Sequence, residues 1–256
     1  PGIIHIDELV YGRSISIDPT GNRLLVGTAN GTIVTQSLVD SSEGAVLQPS
    51  GTGELEVSAT TTGADGVIWA VTGCDLRFLA PGDGSGTLTN WEEYQFCSSS
   101  SDQATDILVN SGSLMISTGA NGVYVISYNL SSNQSTVGIQ SIDRWDSGNF
   151  LASNRITDLQ MMGNQLLIST ENAGISRRDM STSTWLSRWS TGNTLASNTV
   201  LGTSVSGGWL HVLAGNTLQS YEISAGVFRT QETMQGIGLL DNAVSISSWP
   251  SGVGFR

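Results

Sequence analysis

Short apolar and β-branched runs alternate along the whole chain with clusters of Gly, Asn, Asp and Ser. No stretch sustains a helical apolar period. This pattern predicts an all-β chain of short strands joined by tight turns. The first unit predicts a strand at Ile15–Ile17, a turn over Asp18–Asn22 and a strand at Arg23–Thr28. Ala29–Thr35 then forms a turn feeding a third strand, and an outer strand lies near Ala45–Leu47. Pro19 suits the second position of that first turn, and Gly21 suits its end, where φ can be positive. The second unit predicts strands at Leu55–Ala59, Gly66–Thr72, Asp75–Leu79 and Trp91–Cys97. The third predicts Thr105–Val109, Ser113–Thr118, Gly122–Tyr128 and Val137–Arg144. The fourth predicts Ile156–Met161, Gln165–Thr170, Gly174–Asp179 and Thr184–Trp189. The fifth predicts Val200–Val205, Gly208–Leu213, Thr217–Ile223 and Val227–Gln231.

These units are copies of one another. Arg144-Trp145-Asp146-Ser147-Gly148-Asn149-Phe150-Leu151-Ala152-Ser153-Asn154 returns 44 residues later as Arg188-Trp189-Ser190-Thr191-Gly192-Asn193-Thr194-Leu195-Ala196-Ser197-Asn198, with eight of eleven positions identical. Leu114–Thr118 lies over Leu166–Thr170, and Leu24–Thr28 is the same strand in the first unit. A segment that recurs at this period is one structural unit of an array, because a lone unit cannot bury its apolar face. Four-stranded units of roughly 40–50 residues have the size of β-propeller blades.

The expectation is one closed β-propeller over residues 1–256, with blades near 14–54, 55–103, 104–154, 155–198, 199–242 and 243–256 plus 1–10. The sixth unit opens at Leu239–Asn242, runs through Ala243–Ile246 and Gly252–Phe255, and is completed by an N-terminal strand at Gly2–Asp7. Such closure removes exposed sheet edges. Six blades is the count this frame gives, with five or seven as alternatives.

The entry Leu151-Ala152-Ser153-Asn154, the strand Leu166–Thr170 ending in Ser-Thr, and the following Gly174-Ile175 resemble the two-component-regulator type of β-propeller repeat. Leu195–Asn198, Leu114–Thr118 with Gly122-Val123, and Leu24–Thr28 carry the same pattern. Propellers of that family are periplasmic or extracellular sensing modules and not catalysts, so the resemblance implies a recognition role.

Composition narrows the partners. The net charge is −12, and all ten basic residues are Arg. An acidic, Lys-free surface repels phosphate backbones and anionic membranes, so neither nucleic acid nor a membrane surface is expected as a partner. No apolar run is long enough to span a bilayer. Low charge with abundant Ser, Thr, Gly and Asn points to an extracellular, cell-surface or periplasmic setting. The chain begins at Pro1 with no initiator Met, which suggests a processed or excised segment. Asn30-Gly31-Thr32, Asn129-Leu130-Ser131 and Asn133-Gln134-Ser135 match the glycosylation acceptor pattern, at a frequency chance can supply.

Little catalytic chemistry is visible. Cys74 and Cys97, the only cysteines, fall at the start of one predicted strand and the end of the next, which makes them cross-strand neighbours able to form a disulfide. The alternative is two unrelated buried thiols. His5 and His211 sit in different units with no second ligand at metal spacing. Asp83–Thr87 only vaguely resembles a calcium loop, and Glu92-Glu93 reads as a solvated pair. No metal or cofactor site and no catalytic triad is expected.

Arg144-Trp145 and Arg188-Trp189 are the candidate interaction surface. Their structural reading is Arg stacked on an indole face at the wet rim; their functional reading is a repeated partner surface. Asp106 and Asp158 recur at the start of a first strand. They either cap blade-to-blade hydrogen bonding or line a channel mouth that takes a cation or polar ligand. The leading function is a non-enzymatic recognition or scaffold module for a protein or glycan partner. A self-associating subunit of a surface assembly is the alternative. A sugar-active lyase or hydrolase comes last, given two His, no Lys and no Asp-box repeat.

Overall fold

The computed structural model describes residues 12–39, 46–47, 55–81, 91–98, 103–233, 246–249 and 252–255. These residues form 22 strands. They are β1 (Gly12–Ile17), β2 (Arg23–Thr28), β3 (Ile33–Ser37), β4 (Val46–Leu47), β5 (Ala59–Thr62), β6 (Ile68–Thr72), β7 (Asp75–Leu79) and β8 (Glu92–Gln95). β9 (Ala104–Asn110), β10 (Ser113–Thr118), β11 (Val123–Leu130) and β12 (Val137–Trp145) follow, then β13 (Ile156–Met162), β14 (Gln165–Thr170), β15 (Ile175–Asp179) and β16 (Thr184–Trp189). The last are β17 (Val200–Ser206), β18 (Trp209–Ala214), β19 (Thr217–Glu222), β20 (Val227–Thr233), β21 (Ile246–Trp249) and β22 (Gly252–Phe255).

Each consecutive set of four, from β1–β4 to β17–β20, forms one sheet in sequence order, and β21–β22 form a hairpin. That makes five blades where the repeat frame expects six. Among the described residues of the sixth unit, two strands pair as the hairpin β21–β22. The completing strand expected at Gly2–Asp7 and the entry at Leu239–Asn242 lie outside the described residues. In the second blade the first strand is Ala59–Thr62, several residues beyond the expected Leu55–Ala59.

The chain packs as two compact units, 1–116 with 124–143 and 117–123 with 144–256. In the first unit, β1 lies against β5 and β5 against β9, so first strands of successive sheets are neighbours. In the second, β13 lies against β17 in the same way, and β21 lies against β17.

The second strand of each blade is the most buried. β6 shows why. Its Trp69 and Val71 enter one core with Phe78, Leu114, Ile126 and Tyr128. Its Ile68 and Ala70 enter another with Leu25, Ile33, Val57 and Trp91. A strand covered on both faces must be apolar at successive positions, and this gives the Leu-Leu-Ile-Ser-Thr type of run. In the second unit, Leu167 of β14 packs with Ile175, Trp189, Leu195, Leu210 and Val212.

The Thr ending that run closes the turn. Thr170 Oγ1 donates to the Gly174 carbonyl at 2.8 Å and accepts from Ala173 N–H at 2.9 Å. Thr118 does the same with Gly122 and Asn121 at 3.1 and 3.0 Å. Gly174 follows with φ of 82°, where a Cβ would strike the Trp189 carbonyl.

Candidate interaction surface

The repeated Arg-Trp segment folds as a self-bonded turn at the end of β12 and of β16. Asn149 Nδ2 donates to the Arg144 carbonyl (3.1 Å), and its Oδ1 accepts from Asp146 N–H (2.8 Å). Asn193 repeats both bonds with Arg188 and Ser190 at 2.9 and 2.8 Å. Asn154 and Asn198 each accept a backbone N–H through the side chain, from Ser147 and Thr191. Their carbonyls accept from Gly122 and Gly174 N–H at 2.9 and 2.8 Å. The motif therefore repeats because it is a joint, and its Asn side chains bond within that joint.

The tryptophans of the candidate surface are interior. Trp145 is 8% exposed and Trp189 is 6% exposed, so neither indole is an exposed anchor for a partner. The stacking partner also differs from the one the sequence suggests. Arg144 bonds the Asp146 carboxylate at 2.9 Å and Arg188 is exposed, while Arg178 and Arg177 of β15 lie over the two indoles. Strand geometry gives the reason. Adjacent residues on a strand point to opposite faces, so an arginine beside a tryptophan in sequence cannot cover it.

The two joints are built differently. Arg178 lies 4.6 Å from the Trp145 ring and 5.2 Å from the Trp185 ring. Trp145 and Trp185 meet edge to face at 5.4 Å, and Phe150 stacks on Trp185 at 5.6 Å and 11°. Phe150 is half exposed. Arg178 is half-buried, its pKa is lowered by desolvation, and it meets no hydrogen-bond acceptor or carboxylate among the described residues. At the next joint, Trp189 packs on Tyr221 (5.0 Å) and Phe228 (5.6 Å), with Arg177 over it at 4.2 Å. Arg177 has acceptors of its own, donating to Gln165 Oε1 at 2.8 Å and to the Ser187 carbonyl at 3.3 Å.

Asp158 bridges two blades. Its carboxylate accepts from Thr203 N–H at 2.9 Å and from Thr203 Oγ1 at 2.5 Å. Beside it, Thr157 Oγ1 donates to the Val200 carbonyl at 2.6 Å. Desolvation pushes the Asp158 pKa up to about 6, against the two Thr203 hydrogen bonds, which favour the charged form. Asp106 lies at the same position of β9, partly buried, and accepts its neighbour Ile107 N–H at 2.8 Å.

Cys74 and Cys97 form a disulfide with a Cα–Cα separation of 5.0 Å. Phe96 N–H donates to the Cys74 carbonyl, so the bridge extends the β7–β8 pairing by one step. Beside it lies a cavity of about 400 Å³ lined by Glu56, Ser58, Asp75, Gln95 and Gln103. Its carboxylates have cationic neighbours: Glu56 with Arg13 at 3.2 Å and Asp75 with Arg77 at 3.8 Å.

His211 Nδ1 lies 3.0 Å from Ser220 Oγ on the neighbouring strand, and desolvation lowers its pKa. No carboxylate orients the ring among the described residues, so the pair lacks the third member of a triad. Among the described residues no three His, Cys, Asp or Glu side chains gather as metal ligands. His5 and Asp83–Thr87 lie outside the described residues. No helix among them is long and apolar enough to cross a membrane.

Sequence reasoning missed Arg178, Trp185 and Phe150. The alternation of β15 and β16 carries a usable signal, since Arg178 and Trp185 are directly opposite on those strands. The approach of Trp145 to them is a tertiary fact.

No protein-family profile matches the chain, and no curated protein matches it in sequence. Among solved structures it is similar to a chain in the crystal structure of a mitotic checkpoint complex. That similarity has a TM-score of 0.66 and 11% identity, covering 94% of this chain and 72% of that one. It is also similar to the Swd1 β-propeller domain from Myceliophteria thermophila, with TM-score 0.59, 13% identity and coverage of 92% and 75%. BamB from Moraxella catarrhalis gives TM-score 0.54 and 11% identity, covering 89% of this chain and 63% of that one. At such identities the likeness shows the β-propeller fold alone.

Proposed function

We propose that this propeller is a non-enzymatic recognition module working in an oxidising compartment, outside the cell or in the periplasm, where it presents turns and sheet edges to a protein partner. One observation carries the reading: the carboxylate best placed for chemistry, Asp158, is bound into a joint between blades, whereas the half-exposed Phe150 ring and the half-buried Arg178 meet on Trp185 with no acceptor for the guanidinium among the described residues. Arg and aromatic side chains are the groups enriched at protein interfaces. The propeller fold is commonly a scaffold for protein interactions. The Cys74–Cys97 bridge supports the compartment, because disulfides persist where thiols are not kept reduced. The repeat resembling sensor propellers points the same way.

The test has two arms. Alkylation of the native source at the moment of lysis should find Cys74 and Cys97 already bridged; free thiols there remove the compartment. The purified, oxidised protein should turn over no polysaccharide. Turnover that disappears in Asp158→Asn makes it an enzyme instead.

A further inference from the structure

The two Arg-Trp joints provide an internal comparison. Trp145, Arg178 and Trp185 at one joint correspond to Trp189, Tyr221 and Phe228 at the other. Arg178 pairs with Leu166 and Trp185 across its sheet, as Tyr221 pairs with Leu210 and Phe228 across the next. The second joint is aromatic at these places and takes its cation from Arg177, which donates to Gln165 and to the Ser187 carbonyl. Phe150 likewise stands where the second copy has Thr194. The first joint thus carries two features the second lacks, a guanidinium without an acceptor among the described residues and an exposed ring, and they lie on the same Trp185.

The guanidinium carbon lies 4.6 and 5.2 Å from two indoles that meet edge to face, and its N–H groups have no acceptor among the described residues. A planar fork held in this way is pre-organised for a carboxylate. Charge suits such a partner at this arginine: Arg144 and Arg155 have carboxylate partners within the chain, whereas Arg178 has none among the described residues.

A sugar fits less well. Sugar platforms need free polar groups around the ring, and here Asp146, Asn149 and Asn154 are bonded within the turn.

We propose that Arg178, Trp185 and Phe150 form a docking site for an acidic polypeptide segment. A partner carboxylate takes the N–H edge of Arg178, and a neighbouring apolar side chain packs on the open face of Phe150. The proposal rests on the recognition reading above.

The probe is a short, end-blocked peptide of alternating Leu and Glu, titrated while the Arg178 Nε–H and Trp185 indole N–H resonances are followed. Its Leu-Gln counterpart and an oligogalacturonate serve as comparison ligands. The Leu-Glu peptide should shift both resonances saturably, and the Leu-Gln peptide should bind at least about tenfold more weakly. Arg178→Tyr and Phe150→Thr copy the second joint, so both should keep the wild-type melting midpoint. The first should lose binding about tenfold or more and the second by several-fold. Arg178→Lys, which keeps the charge but not the fork, should also bind more weakly and serves if the tyrosine variant fails to fold.

Equal binding of Leu-Glu and Leu-Gln peptides overturns the proposal, as does unchanged binding in Arg178→Tyr and Arg178→Lys, or binding of the oligogalacturonate alone. Concentration-dependent dimerisation abolished by Arg178→Tyr also overturns it, by giving the surface to a second copy. If native partners bind wild type and Arg178→Tyr equally, the site fails while the recognition reading stands. Polysaccharide turnover removes that reading itself.

Discussion

Asp158 shows how a single side chain can serve a joint and still cost stability at neutral pH. Its folded pKa, near 6, lies above the roughly 3.9 of an unfolded Asp. Between these values the folded state holds the extra proton, so this group makes stability fall as pH rises from about 4 to 6, after which its contribution stays level. Asp18 has the opposite sign. Hydrogen bonds from Arg23, Asn22 and Thr20 outweigh its desolvation and hold its pKa low, so its contribution is present at neutral pH and is lost as pH falls through the folded value. Asp158→Asn keeps an oxygen for Thr203 but no titration. Urea unfolding at pH 4.5 and pH 7 should therefore show a smaller loss across that interval in the variant than in wild type, by about 1–2 kcal/mol. Equal pH dependence in the two proteins would mean that Asp158 titrates normally.

At the scale of the element, the repeated unit is held by its turns as much as by its strands. Gly174 sits at φ 82° with its Cα against the Trp189 carbonyl, and its N–H bonds the Asn198 carbonyl. Gly163 has φ 59° in the β13–β14 turn with nothing near its missing Cβ. Gly163→Ala should cost only the left-handed strain, about 1 kcal/mol. Gly174→Ala adds a backbone collision and should cost roughly 2–4 kcal/mol. Denaturant midpoints of the two variants check the difference. Similar losses would show that the tryptophan strand can retreat from Gly174 cheaply. The same reasoning explains the signature Ser-Thr followed by Gly. The Thr hydroxyl satisfies the turn from within the core, and the Gly lets the next joint close on it.

For the whole molecule, electrostatics work against compaction. A net charge of −12 on 256 residues, with no Lys, leaves carboxylates in excess of cations. Self-repulsion of like charges falls as salt shortens the screening length from about 30 Å at 0.01 M to about 8 Å at 0.15 M. The melting temperature should rise by a few degrees over that range of sodium chloride and then flatten. A fall instead would mean that pairs such as Arg77–Glu93, at 2.9 Å, outweigh the net repulsion.

Much of this architecture is written locally. Strand positions follow from residues that must alternate or stay apolar. β2, β7, β10, β14 and β16 begin and end where the pattern places them. The repeat frame follows because each copy must rebuild the same self-bonded joint. The disulfide follows because antiparallel neighbours bring one strand's start to the next strand's end.

Tertiary structure decided the rest. The blade count depended on which strands pair, five sheets of four and the β21–β22 hairpin among the described residues. The orientation of Trp145 and Trp189 depended on which face each strand turns inward, and their cover came from Arg178 and Arg177 on another strand. Strand alternation is local and can be read from order alone. Which indole meets which guanidinium is set by packing between elements far apart in the chain, and residue order does not encode that directly.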